Sequence, residues 1–278
     1  MSFEVLHQFE LELISKLQVL RSPLLDQFML FCNYFDTSIF YFLLIPSVWF
    51  LYKRSLGIQI FYMQILACIL AQWLKPLFGE PRPCQLIPEI ALLFCTSFGF
   101  PSGAALATTS IFGLLAVRVR KWPFTLFCAL FLLLVGASRV YLGMHFFSDV
   151  IGGYFFGACL VFLFVRLSPS IEAWFSAKAS VVAISTLVCS VLYYLSPNVH
   201  SGLVMALGAT YGLLLSAHQK IVPRTPALLW IRCLQCALAI VPFFIAKACT
   251  PYHKECYFIS AIWMSYGIEK VFSKRQIQ

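Results

Sequence analysis

Charge is what this sequence has least of. Only 11% of its 278 residues are Asp, Glu, Lys or Arg, and 61% are apolar; an ordinary soluble domain carries ~25% charged residues. So little charge cannot coat a water-facing surface of this size, which excludes a soluble globular protein and leaves lipid as the outer covering. The opening stretch, MSFEVLHQFELELISKL, is acidic and lacks a basic region followed by an apolar run, so it does not read as a signal peptide. No cluster of Asp, Glu or His suggests a metal, and the expectation is a protein with no metal and no cofactor. Linkers, internal repeats and low-complexity segments are also missing. The chain therefore reads as a single integral-membrane domain over 1–278.

Two features that look suggestive have plainer readings. The formal charge is +9, but the cations sit at the ends of apolar segments, where snorkelling and topology account for them. Nucleic acid is not an expected partner. Eleven cysteines are scattered through apolar runs, where cysteine behaves as a small hydrophobe. Cys233 and Cys236 form a C-x-x-C, but it has no second pair and no neighbouring histidine, so packing is a better reading than zinc or redox chemistry. Two loop pairs, Cys84 with Cys95 and Cys249 with Cys256, are candidates for disulfides.

What is present in abundance is apolar sequence in helix-length runs. A helix needs about 20 residues to cross hydrocarbon. Runs at 37–53, 56–74, 103–118, 122–137, 149–166, 179–196, 201–217, 226–246 and 257–271 predict about nine crossings. Ahead of them, Phe3, Leu6, Phe9, Leu13, Leu17 and Leu20 recur at helical spacing, which predicts a short amphipathic helix on the membrane surface. The expected fold is an all-α polytopic bundle with an N-terminal interfacial helix. Residues 22–175 would form its motif-bearing core and 176–278 further crossings.

Nine crossings put the termini on opposite sides. Thirteen of the twenty Lys and Arg residues fall at one set of ends, while nine of the eleven acidic residues, all but Glu172 and Glu269, fall at the other. Lysine and arginine mark the cytoplasmic side. The N-terminus is therefore expected outside and the C-terminus in the cytoplasm.

Three segments on the outer face carry chemistry. The first runs from Lys75 through three prolines and a glycine to Arg82 and Pro83; it reads as a turn-rich loop that folds Arg82 back beside Lys75. In the second, Phe100-Pro101-Ser102-Gly103-Ala104, Ser102 is a good N-cap and the amides that follow are a ready anion site. The third contains Ser138, Arg139, His145 and Asp149. If His145–Asp149 opens a helix, the two side chains share a face, and Asp149 can fix one imidazole nitrogen and leave the other free. Read one at a time, these are also ordinary interfacial cations, a plain capped helix start and a satisfied buried pair.

Together the three segments resemble the signature of the type 2 phosphatidic acid phosphatase superfamily, K-x6-RP, PSGH and SR-x5-H-x3-D. The resemblance implies that His145 attacks phosphorus and forms a phosphohistidine, and that Asp149 orients the imidazole. It also implies that Lys75, Arg82, Ser102, Gly103 and Arg139 hold the non-bridging oxygens. Such a division of labour suits phosphoryl transfer, in which catalysis is positioning plus fixed positive charge. The chain departs from the pattern at Ala104, where the family has the histidine that protonates the leaving group. Ala104 is read either as an engineered His-to-Ala change or as a natural variant with little turnover.

A nine-span layout with an outward N-terminus resembles both glucose-6-phosphatase and sphingosine-1-phosphate phosphatase. The loops carry aromatics such as Phe94, Phe98, Phe100, Phe146 and Phe147 and offer little polar lining. The expected partner is thus a phosphorylated lipid embedded among membrane lipids, with a sugar phosphate as the alternative. A silent phosphate-binding protein or an anion transporter is the other class of reading. The oligomeric state is not legible.

Overall fold

The computed structural model describes residues 3–177, 201–219, 228–248 and 253–273. Every regular element among them is helical. In chain order these are α1 (Phe3–Leu17), α2 (Pro23–Asn33), α3 (Ser38–Pro46), α4 (Arg54–Phe78), α5 (Pro83–Leu86), α6 (Gly103–Val119), α7 (Trp122–Tyr141), α8 (Phe147–Ala177), α9 (Ser201–His218), α10 (Leu229–Ala248), α11 (His253–Ile262) and α12 (Ile268–Phe272). The α3 helix continues as a π-helical stretch, Ser47–Tyr52.

Among the described residues, α4, α7, α10 and Phe147–Leu167 of α8 are long and apolar enough to cross a membrane; Pro23–Asp36 and Ser38–Tyr52 make a fifth span if they count as one. Gly103–Val119 and Val204–His218 are apolar but shorter. The expected crossing at 179–196 lies outside the described residues. An all-helical polytopic membrane bundle is what the structure has.

By Cα proximity the chain divides into two compact units. The first comprises Met1–Tyr41 and Leu66–Arg166, the second Phe42–Ile65 and Leu167–Gln278. In the first, α6 and α2 both pack on α7. Gly153 and Gly157 of α8 let that helix approach α6 closely: a Cβ at Gly153 would sit 2.7 Å from the Ser102 carbonyl oxygen, and one at Gly157 would sit 2.7 Å from the Thr109 Cβ. A methyl group at either position would push apart the two helix starts that carry the second and third motifs.

The α1 helix is more than a surface element. Its face bearing His7, Glu10 and Ile14 is buried, and Ile14 joins Ile90, Ala105, Val140, Phe146 and Val150 in one core cluster. The buried face is not the apolar stripe read from the sequence, of which Phe9 and Leu20 remain exposed.

In the second unit, Arg54 and Glu269 form a two-pronged ion pair, with Ser216 Oγ donating to the same carboxylate at 3.4 Å. Arg232 donates to the carbonyls of Phe50, Leu51 and Tyr52. These are the final carbonyls of the π-helical stretch, which a helix end leaves without partners.

Candidate active site

All three motifs lie in the first unit, and each is placed by a helix end. The α4 helix does not stop at Lys75, as three prolines had suggested, but runs through Pro76 to Phe78. Gly79 closes it: its φ of 65° is one that glycine adopts readily, and its amide donates to the Lys75 carbonyl at 2.9 Å. Pro83 begins α5 at a helix-start position that needs no N–H, with Arg82 as the N-cap. Lys75 Nζ donates to the Phe98 carbonyl at 2.7 Å.

Ser102 caps α6 as the sequence suggested, its Oγ accepting from the Ala105 amide at 3.4 Å. The Ser102 amide donates to the Asp149 carbonyl at 2.9 Å, which ties the second motif to the third. A Cβ built on Gly103 would stand 4.0 Å from the Lys75 Cε, so the lysine lies alongside this helix start. Ala104 is 3% exposed.

His145 is not on a helix. It ends the turn after α7, its amide donating to the Arg139 carbonyl at 3.3 Å. Asp149 stands in the first turn of α8 and reaches back: its Oδ2 accepts from the Phe146 amide at 3.0 Å and from His145 Nδ1 at 3.0 Å. The pairing anticipated from helix-face spacing is therefore made by a carboxylate folding back on its own helix start, the third-position half of a capping box.

The other imidazole nitrogen, Nε2, lies 3.0 Å from an Arg82 N–H. A guanidinium only donates, so Nε2 is the acceptor and Nδ1 carries the proton that Asp149 receives. Burial, then the charges of Arg82, Lys75 and Arg139, holds the His145 imidazole well below its ordinary pKa. The ring is neutral, with a lone pair directed at the cations.

Arg82 is 4% exposed and makes four hydrogen bonds. It donates to the Ser97 carbonyl at 2.7 Å, Ser97 Oγ at 2.9 Å and the Met144 carbonyl at 2.9 Å, besides Nε2. Arg139 is 2% exposed and turns towards α2 and the turn after it. It donates to the Asn33 side-chain and main-chain oxygens and stands 3.7 Å from Asp36 Oδ2. Its Nε is buried with no hydrogen-bond partner among the described residues, as is Asp149 Oδ1.

Asn33, Asp36 and Ser97 were not anticipated. Asp36 did leave a signal, because a carboxylate bordering hydrocarbon is expensive. Two more polar residues stand behind the site on α1. Glu10 accepts from the Ser148 amide at 2.7 Å and its hydroxyl at 2.9 Å. His7, expected at the interface, is buried, stacked on Phe146 at 4.1 Å and 3.8 Å from Glu80. Phe146 thus belongs to the core, while Phe94 and Phe98 remain exposed.

Cys84 and Cys95 are not bonded to each other; the Cys84 Sγ lies 3.9 Å from the Cys95 carbonyl oxygen. Cys249 lies outside the described residues. No group of three or more His, Cys, Asp and Glu converges to hold a metal among the described residues.

Comparison with known proteins agrees with the motifs. The family model of the PAP2 superfamily matches residues 56–172. Phosphatidylglycerophosphatase B of Bacillus subtilis is 31% identical over 170 residues, which are 55% of this chain and 80% of the relative. Sphingosine-1-phosphate phosphatase 1 of Rattus norvegicus is 26% identical over 158 residues, 53% of this chain but only 36% of that protein. The crystal structure of the transmembrane PAP2-type phosphatidylglycerolphosphate phosphatase from Bacillus subtilis superimposes with a TM-score of 0.51 at 26% identity, over 60% of this chain and 88% of that one. This chain is a membrane protein of the type 2 phosphatidic acid phosphatase superfamily.

Proposed function

We propose that the chain hydrolyses a lipid phosphate or diphosphate through a phosphohistidine on His145. One observation carries the reading: a neutral imidazole, held through Nδ1 by Asp149, presents Nε2 to Arg82 in the field of Lys75 and Arg139. In the reaction Nε2 attacks phosphorus while Lys75, Arg82, Arg139, Ser102 and the Gly103 amide take the equatorial oxygens, whose charge rises in the transition state. Arg82 then trades its contact with Nε2 for a phosphate oxygen. The buried, unpartnered Nε of Arg139 is a donor that such an oxygen would satisfy. The cations are all side chains of the chain itself, and the proposed reaction uses no metal.

A lipid fits the surroundings better than a sugar. Trp73, Leu77, Phe94 and Phe98, which flank the cationic residues along the chain, are 77%, 74%, 62% and 45% exposed. Such an apolar border can face lipid tails while the headgroup enters the cationic pocket. The similar proteins named above are phosphatases of phosphatidylglycerophosphate and sphingosine 1-phosphate. By the charge distribution, the site opens on the extracytoplasmic side.

Ala104 offers no proton, and this form turns over alkyl esters slowly. The test is phosphate release from lipid monophosphates, a polyprenyl diphosphate and sugar phosphates by the chain and by its Ala104→His variant, with His145→Ala as the control. We expect Ala104→His to raise turnover of a lipid substrate about 10²-fold or more. Release that survives His145→Ala, or a preference for the sugar phosphates, overturns the reading.

A further inference from the structure

The site is rich in fixed charge and poor in protons that it can give away. Ser102, Gly103 and Ala104, which open α6 beside Lys75, supply a hydroxyl, an amide and a buried methyl group. Asp149 Oδ2 accepts from the Phe146 amide and from His145 Nδ1, which favours the charged, proton-free carboxylate. The Glu80 carboxylate is turned to His7, 3.8 Å away, and that of Asp36 to Arg139. Arginines do not give up protons in proteins. Lys75 has N–H bonds besides the one it gives the Phe98 carbonyl. A lysine that passes on its proton, however, loses its charge just as charge builds on the phosphoryl oxygens.

Leaving groups differ greatly in what they ask of such a site. An alkoxide is about as strong a base as hydroxide, whose conjugate acid has a pKa of ~15.7, so an alkyl ester needs a proton donor to depart. A phosphate monoester takes up its proton with a pKa of only ~6. It departs as an anion at neutral pH, and cations serve it better than an acid.

We infer that the site is selective for lipid diphosphates over lipid monophosphates, and that Ala104 sets this preference. The inference rests on the phosphatase reading given above and narrows its substrate. In the first step His145 Nε2 forms a bond to the terminal phosphorus. The bond from that phosphorus to the bridging oxygen breaks, its electron pair stays on oxygen, and a lipid monophosphate leaves with no proton transferred. In the second, water attacks the phosphohistidine, the P–N bond breaks and its electron pair returns to Nε2. Both protons of the water depart with orthophosphate. Neither step calls on a proton from the protein. The second phosphoryl group also gives the spare donors a use: Lys75 has N–H bonds beyond Phe98, and Arg139 Nε is buried without a partner among the described residues.

The test uses the full chain in detergent with two matched pairs of substrates. Dodecyl diphosphate and dodecyl phosphate share a tail and differ in leaving group. So do p-nitrophenyl phosphate, whose phenolate leaves unaided, and p-nitrobenzyl phosphate, an alkyl ester of nearly the same size and charge. We expect kcat/KM for the diphosphate to exceed that for dodecyl phosphate at least about 10²-fold, with dodecyl phosphate accumulating mole for mole with orthophosphate. The nitrophenyl ester should outpace the nitrobenzyl ester by a similar factor. Ala104→His should raise kcat/KM on dodecyl phosphate ~10²–10⁴-fold and shrink the preference for the diphosphate at least about tenfold. Equal rates on the two dodecyl substrates overturn the inference. A preference that Ala104→His leaves unchanged overturns it too, because selectivity would then lie in binding the second phosphate. The nitrophenyl and nitrobenzyl pair needs no variant, and equal rates there sink the inference alone. Release that persists in His145→Ala, or no release from any of the four, removes the phosphatase reading itself.

Discussion

His145 Nδ1 lies 3.0 Å from Asp149 Oδ2, and the same carboxylate oxygen accepts the Phe146 amide. One atom therefore fixes both the tautomer of the imidazole and the start of α8, the helix that carries the carboxylate. Asp149→Asn can turn its amide N–H towards Nδ1, which places the ring proton on Nε2 and takes away the lone pair. We expect turnover to drop at least about 10²-fold with vanadate binding largely kept. Parallel losses in turnover and vanadate affinity would show that Asp149 matters to the pocket as a whole and not to the nucleophile.

The pH dependence has a definite sign. The imidazole of His145 is held well below its ordinary value of 6.5 by burial and by Arg82, Lys75 and Arg139. Acting as the proposed nucleophile, a histidine that stays neutral should keep the acid limb of kcat/KM below pH 6.5. Stability runs the same way. Below pH 6.5 the unfolded chain takes up a proton on this histidine before the folded chain does, so the contribution is complete above that pH and fades as pH falls towards the folded value. Wild type should lose more Tm than His145→Gln between about pH 7 and pH 5. Identical slopes would mean that the imidazole titrates normally.

Glu10 should matter to catalysis without touching substrate. It accepts from both the amide and the hydroxyl of Ser148, the residue next to Asp149. Removing such a cap weakens a helix start by ~0.5–2 kcal/mol. Glu10→Ala should lower Tm and turnover together, while Glu10→Gln, which keeps an acceptor oxygen, should recover most of both. Thermal melts and phosphate release on the same preparations check this.

The approach of α8 to α6 is equally open to test. A Cβ at Gly153 meets the Ser102 carbonyl oxygen and the Ala105 Cβ, each at 2.7 Å. Overpacking of this kind costs about 1–3 kcal/mol. Gly153→Ala should destabilise the protein and reduce phosphate affinity through Ser102, as read by inhibition with inorganic phosphate. A variant with unchanged Tm would mean that the two helices part freely.

Composition alone settled that lipid is the outer solvent, because too few charged groups exist to do that work. Local spacing brought out Lys75, Arg82, Ser102, Arg139, His145 and Asp149, since each lies close in sequence to a helix end that positions it. Even there, the reading of the local chain was imperfect: Pro76 did not end α4, and His145 precedes α8 and stands outside it. Tertiary structure alone decided what surrounds those residues. Asn33 meets Arg139 across 106 positions, and Glu10 meets Ser148 across 138. Periodicity reports which face of a helix a residue occupies, not which distant segment will come to rest against it. That is why Asp36, a lone carboxylate at the edge of an apolar run, gained its meaning only when the fold set it beside Arg139.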